Sequence, residues 1–204
     1  ADMEVEKTTA DEIHLTDLGN AMRLVALHGK DLRYCYTWGK WLIWDGKRWV
    51  IDDAGQVELL AKDTVKNIYA EAARETSESR RKELAKWALS SESRQRLSAM
   101  IALAQSEPGI PIKHDEPNRD RWLINCLNGT LDLRTGELKP HDRADLITKI
   151  APVEYKPGAP CPNWLEFLDM IFEGNQDLIA FVQRAVGYSL TGITDERCMF
   201  ILWG

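Results

Sequence analysis

The sequence predicts an α+β fold, and three observations carry that prediction. Two apolar-rich runs meet at Asp45-Gly46, a dipeptide that tolerates the positive φ angles of a tight β-hairpin turn. Apolar residues recur at helical spacing over 56–105 and again over 163–190. The run Cys198–Trp203 is apolar throughout, which is typical of a strand covered on both faces. We therefore expect a β-hairpin and a helical cluster, then a small antiparallel β-meander, a helical hairpin and a final strand.

The composition is that of an ordinary globular chain. Of its 204 residues, 44% are hydrophobic and 28% are charged, which excludes a largely disordered chain. The net charge of −6 argues against a protein that coats DNA, because phosphate neutralisation dominates such affinities, but a local basic face is compatible with it. No apolar run is long enough to cross a bilayer and no secretion signal opens the chain, so we expect a soluble, cytoplasmic protein.

The first expected element is a helix that begins after Thr16. Residues 1–15 are polar and we expect them to be flexible. Thr16 can cap the helix and Gly29 can end it. Its apolar side is expected to carry Leu18, Met22, Leu24 and Val25.

The hairpin follows, with predicted strands at 38–44 and 47–52. A two-residue turn would place Trp44 opposite Lys47. One face then carries Leu42, Trp44, Trp49 and Ile51, and the other carries Trp41, Ile43, Arg48 and Val50. Because both faces are apolar, this ribbon is expected to be covered or used in contacts. Its four tryptophans could stack on unpaired bases, join the core or line a subunit interface.

Three helices are expected next, over about 56–75, then from about residue 80 to Ser90-Ser91, and over about 93–105. Their inward positions are predicted to include Val57, Ala61, Val65, Ile68, Leu84, Trp87, Ala88, Leu97 and Met100.

The character of the chain changes at Pro108. Three short runs, at 122–127, 130–133 and 137–139, are separated by turn residues, first Asn128-Gly129 and then a Gly-containing triplet, so they predict a three-stranded meander. Residues 156–162 contain three prolines and predict a stiff boundary. Two helices are expected beyond it, one capped by Asn163 and one over 176–190, before the apolar strand.

No catalytic or metal-binding residues are predicted. The sequence holds no GxSxG, HExxH or complete GxxxxGK[ST] motif, and its four cysteines and four histidines are scattered. Acidic pairs such as Asp52-Asp53 and Asp115-Glu116 lie in turn-like stretches, where solvated turns and caps explain them.

A basic stretch is the candidate nucleic-acid-binding site. It comprises Arg80, Arg81, Lys82, Lys86, Arg94 and Arg96. Spacings of four place some of these cations on one side of a helix, as in a phosphate-facing patch. The alternative is a solvated helix face that nearby glutamates balance.

Five segments, in chain order, carry a resemblance to a known family. They are TDLGNAMRLVALHGKDLRY at 16–34, WDGKRWV at 44–50, LINCLNGTLDLRTGELKPH at 123–141, CPNWLEFLDMIF at 161–172 and VQRAVGYSLTG at 182–192. The chain resembles the helicase-flanking domain of phage and plasmid primases, a domain shared with the poxvirus primase–helicase.

The resemblance implies where the chain stands in a longer protein. Residues 16–156 would be the mixed α+β helicase-flanking domain, and 157–204 would lead into a superfamily 3 helicase ATPase domain. The final strand would then be the truncated first strand of a P-loop ATPase sheet, and Gly204 would match the first glycine of its phosphate loop. That loop's Lys and Ser/Thr are absent, so no cofactor is expected here, whereas ATP and Mg²⁺ are implied for the full-length parent.

The expected function is that of a non-catalytic collar or linker module in DNA replication. Its expected partners are single-stranded or forked DNA, an upstream primase domain, a downstream helicase domain and further copies of itself in a ring. The resemblance places it in the cytoplasm of a bacterial host, encoded by a phage or mobile element. The alternatives are a stand-alone nucleic-acid-binding domain or a nucleotidyl transferase with an unrecognised site.

Overall fold

The computed structural model describes residues 13–201. These residues form six α-helices, a four-stranded mixed sheet and a three-stranded antiparallel sheet, which confirms the predicted α+β class. They divide into two compact units, the first comprising 13–45 and 49–116 and the second comprising 46–48 and 117–201. The domain limits expected at 16–156 and 157–204 stay a prediction.

The first unit combines four helices with the mixed sheet, and its helices lie close to their predicted positions. The elements are α1 (Asp17–His28), β1 (Leu32–Cys35), β2 (Lys40–Trp44), β3 (Trp49–Ile51), α2 (Gln56–Arg74), α3 (Glu78–Ser91), α4 (Arg94–Ala104) and β4 (Pro111–Ile112). The strand order is β3-β2-β1-β4, with β4 parallel to β1 and the other pairs antiparallel. The hydroxyl of Thr16 caps α1 as predicted, accepting a hydrogen bond from the Gly19 N–H at 3.0 Å.

The β2–β3 hairpin differs from the prediction in its turn. Trp44 pairs with Trp49 and Leu42 with Ile51, so the loop is 45–48 rather than a two-residue turn. The opposed pair makes an edge-to-face contact, with ring centroids 5.7 Å apart, that the shorter turn would not allow. The register is therefore shifted by two residues, and an even shift leaves every side chain on its predicted face.

The core of the first unit lies where α1, α2 and α4 pack on the sheet. Its buried members are Ala21, Leu24, Leu32, Val57, Ala61, Val65, Leu97, Met100, Ala104 and Ile110. Tyr34, Trp41 and Ile43 pack against this core from one face of the sheet. The helical periodicity of the sequence therefore identified the inward positions of α2 and α4 correctly. For α1 it was wrong in part, because Leu18 is 51% exposed and Met22 is only half-buried, whereas Ala21 and Leu24 are buried.

Helix α3 is attached through its own cluster and a polar network. Ile68, Ala72, Leu84 and Ala88 form that cluster, with Leu15 and Trp87 packed against it. The Trp87 indole N–H donates to Asn20 Oδ1 at 2.9 Å, and Asn20 Nδ2 donates to Ser91 Oγ at 3.0 Å. Asn20 is fully buried, so both bonds compensate for its loss of water.

Residues 13–15 are anchored. Ile13 is buried, and the guanidinium of Arg23, itself buried, donates to the carbonyl oxygens of His14 and Ile13. Residues 1–12 lie outside the described part of the chain, and the flexibility expected of them stays a prediction.

The second unit holds the predicted meander and the predicted helical hairpin. Its elements are β5 (Leu123–Cys126), β6 (Gly129–Asp132), β7 (Glu137–Lys139), a 3-10 turn (Arg143–Asp145), α5 (Pro162–Ile171) and α6 (Gln176–Leu190). The three strands pair in chain order and antiparallel.

The first turn of the meander lies one residue earlier than predicted. Cys126 pairs with Gly129, so the turn residues are Leu127 and Asn128. The amide of Asn128 is used elsewhere, since it donates to Tyr155 O and accepts from Tyr155 N, both at 2.9 Å. Gly129 is needed inside the strand, where an added Cβ would lie 2.5 Å from the Lys139 carbonyl oxygen.

The amide of Asn125, which is 4% exposed, organises the second unit. Its Oδ1 accepts from Thr130 Oγ1 at 3.1 Å and lies 2.7 Å from His141 Nδ1, which must carry a proton because an amide oxygen only accepts. Its Nδ2 donates to the carbonyl oxygens of Lys47 at 2.9 Å and Lys149 at 3.3 Å. One side chain thus joins β5, β6 and two loop segments.

Two expectations near the C-terminus are corrected. Helix α5 begins at Pro162 with Cys161 as its N-cap residue, not at Asn163, because proline has the φ angle of a first helical residue and lacks the N–H that would be left unpaired there. Residues Cys198–Ile201, the described part of the expected final strand, have no strand structure. A strand needs a hydrogen-bonded neighbour, and no segment within 13–201 pairs with them.

We expect Asn125→Asp to lower the free energy of unfolding of the second unit by about 3 kcal/mol. The new carboxylate oxygen would face two carbonyl oxygens in place of an amide donor. Native-state hydrogen exchange of the β5 and β6 amides measures this loss. The exposed Asn163→Asp is the matched control and should leave protection unchanged. Equal protection in both variants would contradict the assigned role of the Asn125 amide.

The β6–β7 turn contains an ion pair that lowers the pKa of Asp132 to about 2. The chief cause is the Arg134 side chain, whose Nε and Nη2 donate to the carboxylate at 2.9 and 2.7 Å. An unfolded aspartate titrates near a pKa of about 3.9. The pair therefore stabilises the turn fully above that pH, and the stabilisation is lost as the pH falls toward about 2.

Arg134→Gln should raise the pKa of Asp132 toward its ordinary value, because the charged donor is removed. Carboxyl-carbon NMR titration of the full chain measures this shift. Lys156→Gln, which removes a cation elsewhere in the same unit, should leave the titration of Asp132 unchanged. If both variants titrate alike, Arg134 is not the cause.

Candidate functional site

The six predicted basic residues lie in the first unit, on two consecutive helices. Arg80, Arg81, Lys82 and Lys86 are on α3, and Arg94 and Arg96 are in the first turn of α4. Residues 80–82 lie near the N-terminal end of α3 and residues 94–96 follow its C-terminal end, so the six cations span the length of that helix. Their surroundings separate them into two groups.

Two of the α3 cations are paired within their own helix. Arg80 Nη1 lies 3.3 Å from a Glu83 oxygen, and Lys82 Nζ lies 2.7 Å from a Glu78 oxygen. Such exposed pairs at helical spacing contribute little to stability, but they lower the positive potential of the helix face. The glutamate-balanced interpretation therefore applies to these two residues.

Arg96 serves the packing of the helices. Its guanidinium lies 4.1 Å from the ring centroid of Trp87 and 3.2 Å from an Asp17 oxygen. The side chain therefore links α4 to α3 and to the start of α1 through a cation–π contact and an ion pair.

Arg81, Lys86 and Arg94 are different. All three are exposed, and none has an ion-pair partner among residues 13–201. Their charges are available to phosphate groups in a way that the charges of Arg80, Lys82 and Arg96 are not.

The aromatic ribbon contributes mainly to the core. Trp49 is 1% exposed and lies under the guanidinium of Arg33, while Trp41 packs against the buried cluster of the first unit. At the β1–β2 turn, Tyr36 and Trp38 are 57% and 39% exposed. Of the three interpretations of the ribbon, the core interpretation is confirmed for Trp41 and Trp49, and exposed aromatic surface that could stack on bases is present at the turn.

A cleft in the second unit was missed by sequence reasoning. It has a volume of about 420 Å³ and lies between residues 118–125, 147–151 and 190–194. Arg121 and Lys149 line it, together with apolar side chains. The two cations are far apart in sequence and belong to no motif, so only the fold brings them together.

Helices α5 and α6 carry the most extensive exposed apolar surface of the second unit. Only Leu168 and Ile179 are buried along the two helices. The exposed large apolar side chains are Trp164, Leu165, Phe167, Met170, Ile171, Leu178, Phe181, Val186 and Leu190. Amphipathic helices normally bury such faces, and exposed apolar patches of this kind mark interaction surfaces.

Within the described residues, no group of His, Cys, Asp and Glu side chains could hold a metal ion. No helix in that part of the chain is both long enough and apolar enough to cross a membrane.

The phosphate-loop assignment cannot be carried onto the described structure. Gly204 lies outside residues 13–201, and the sequence holds no complete GxxxxGK[ST]. We therefore derive no step that involves ATP or Mg²⁺ at a phosphate loop of this chain.

A comparison of the chain with curated proteins found no match. A family model described as D5 N terminal like matches residues 21–173, three quarters of the chain, and covers the mixed sheet, the helical cluster, the meander and α5. The chain therefore belongs to the D5 N-terminal-like family, a domain of phage, plasmid and viral primase–helicase proteins.

Proposed function

We propose that this chain is the non-catalytic collar or linker module of a phage or plasmid DNA primase–helicase. In this role it supports oligomerisation and couples an upstream primase to a superfamily 3 helicase motor during DNA replication. Family membership supports the proposal. The single structural observation that carries it is the exposed apolar surface of α5 and α6, because a coupling module needs a surface that a neighbouring protein domain can bury.

That surface has the chemistry of a protein interface. Met170 is 72% exposed, and Phe167, at helical spacing from it on α5, stacks on Trp164 with ring centroids 6.0 Å apart. Phe181 adds a third exposed aromatic ring on α6. Burying each such side chain against a partner stabilises the complex by roughly 1.5–3 kcal/mol. Aromatic and Met side chains are also enriched in the central parts of interfaces.

We further propose that the module contacts DNA through Arg81, Lys86 and Arg94. These exposed cations have no ion-pair partner among the described residues, whereas the other three basic residues are engaged with Glu83, Glu78 and Asp17. In the parent protein, ATP and Mg²⁺ would act in the helicase motor. The contribution of this chain is binding and positioning.

Replacing Phe167 and Met170 by serine should weaken assembly of the parent primase–helicase by about tenfold or more, because two apolar side chains would no longer be buried at the interface. Sedimentation velocity over a concentration series measures assembly, and DNA-stimulated ATP hydrolysis measures coupling.

The matched control replaces Leu59 and Leu89 by serine. These leucines, on α2 and α3, are 53% and 64% exposed, so the change in surface polarity is similar. The control should assemble and hydrolyse ATP like the wild type. Unchanged assembly of the Phe167/Met170 variant would contradict the proposed role of α5 and α6.

Replacing Arg81, Lys86 and Arg94 by alanine should weaken binding of the chain to single-stranded DNA. The slope of log K against log salt concentration should also become shallower by about 2, since about 0.7 counterion is released per phosphate contact on single strands. Fluorescence anisotropy with a labelled oligonucleotide, repeated at several salt concentrations, measures both quantities.

A control variant, Arg80→Ala with Lys82→Ala, removes the two α3 cations that are paired within the helix. It should reduce the salt slope much less than the first variant. Equal losses in the two variants would show that net charge alone governs binding, and would remove Arg81, Lys86 and Arg94 as a specific contact surface.

A further inference from the structure

The cleft of the second unit is framed by three segments that hydrogen bonds hold together. Asn118 Nδ2 donates to Thr148 Oγ1 at 2.8 Å and Asn118 Oδ1 accepts from Thr148 N at 2.9 Å. At the other end of the same wall, Ala151 N donates to the Asn125 carbonyl oxygen at 2.8 Å. These bonds fix residues 147–151 beside residues 118–125, so the cleft is pre-formed rather than a gap between loose loops.

Residues 190–194 form the third wall of the cleft, and Gly192 allows this wall to pack closely on Arg121. Gly192 N donates to the Arg121 carbonyl oxygen at 2.9 Å, and a Cβ added at Gly192 would lie 3.1 Å from the Arg121 Cβ. The chain beyond α6 thus packs directly on the stem of Arg121, which limits the positions that the guanidinium can adopt. Gly192 is the last residue of the GYSLTG segment, and this close approach to Arg121 explains why a residue without a side chain stands there.

The polar groups that line the cleft leave a positive charge uncompensated. Arg121 and Lys149 line it, and neither is ion-paired with any residue in the described range 13–201. Asp120, the acidic residue of the lining, shares Arg134 with Asp132, since Arg134 Nη2 lies 3.0 Å from the Asp120 carboxylate and 2.7 Å from that of Asp132. Even if the charge of Asp120 is counted in full, the two lining cations leave a net positive charge. The amides of Asn118 and Asn125 are used within the walls. An anion is therefore the charge that the cleft can accept.

Apart from Gly192 and the polar Thr194, the rest of the lining is apolar. It consists of Leu123, Ile124, Ile147, Ile150, Ala151 and Leu190. The volume of about 420 Å³ falls within the range of roughly 300–1,000 Å³ that is typical of small-ligand sites. A ligand that fits both halves of this lining has an anionic group beside a weakly polar body.

We propose that this cleft binds a nucleoside phosphate, with Arg121 and Lys149 on the phosphate and the isoleucine and leucine side chains against the sugar and base. The ligand chemistry is shared by a free nucleotide and by one unit of a single-stranded nucleic acid. The site goes beyond the proposed function, since it lies in the other unit from the basic helices and uses different residues.

The test is a ¹H–¹⁵N NMR titration of the full 204-residue chain with three probes at equal phosphate concentration: oligothymidylate, thymidine monophosphate and inorganic phosphate. We expect the first two to shift the amides of residues 118–125, 147–151 and 190–194. Tighter binding of the oligonucleotide identifies a strand as the source of the ligand, and equal binding identifies a free nucleotide. The proposal would be overturned if inorganic phosphate bound as tightly as the nucleotide, because the apolar lining would then contribute nothing. It would also be overturned if a glutamate-rich peptide displaced the oligonucleotide, because the cleft would then bind any anionic chain.

The variant Arg121→Gln with Lys149→Gln should weaken binding of thymidine monophosphate by about tenfold or more, because hydrogen bonds to charged groups are lost. The control is Arg119→Gln with Lys156→Gln, which removes two cations of the same unit that do not line the cleft. Equal affinities in the two variants would overturn the assignment.

The outcome can be separated from that of the proposed function. If the oligonucleotide shifts amides of α3 and α4 while the cleft amides stay unchanged, the cleft assignment fails and the DNA contact of the basic helices stands. If only the cleft amides respond, the DNA contact of the basic helices fails and the cleft assignment stands.

Discussion

The second unit depends on how one buried amide is satisfied. A polar side chain at the 4% exposure of Asn125 is costly unless its donors and acceptors are matched, and here four partners match them. Because those partners come from β6, from the loop after β7 and from two further loops, a small sheet of short strands gains a fixed frame. The cleft is one consequence, since a wall that includes residues 147–151 can exist only where that segment is held in place.

Much of the fold could be predicted because its signals are local. Helical periodicity and capping identified all six helices, and turn residues identified the β2–β3 hairpin and the meander, whereas β1 and β4 were not predicted. The errors came from interactions that periodicity does not encode. The Trp44–Trp49 contact lengthened one loop, and the use of Asn128 on Tyr155 together with the close approach at Gly129 moved the other turn. Residues 198–201, the described part of the expected final strand, lack strand structure for a different reason, because a strand requires a hydrogen-bonded neighbour.

The candidate sites were predictable only to the extent that they are continuous in sequence. The basic stretch was found because its members are close together, but the division between engaged and available cations depends on Glu78, Glu83 and Asp17. The sequence could not predict that Arg121 and Lys149 line the same cleft, because the hydrogen bonds of Asn118 and Asn125 bring their two segments together. The apolar helices were expected, whereas their exposure is a property of the folded unit.

The register of the tryptophan hairpin has a consequence for how this region can vary. Side chains alternate across a ribbon, so a one-residue slip in the pairing of β2 with β3 would exchange its two faces and carry Leu42 and Trp49 out of their buried positions. A change in the length of loop 45–48 does not by itself cause such a slip, because hairpin loops of several lengths connect paired strands. The hydrogen bond that the main-chain oxygen of Lys47 accepts from Asn125 limits where in the loop a residue can be added.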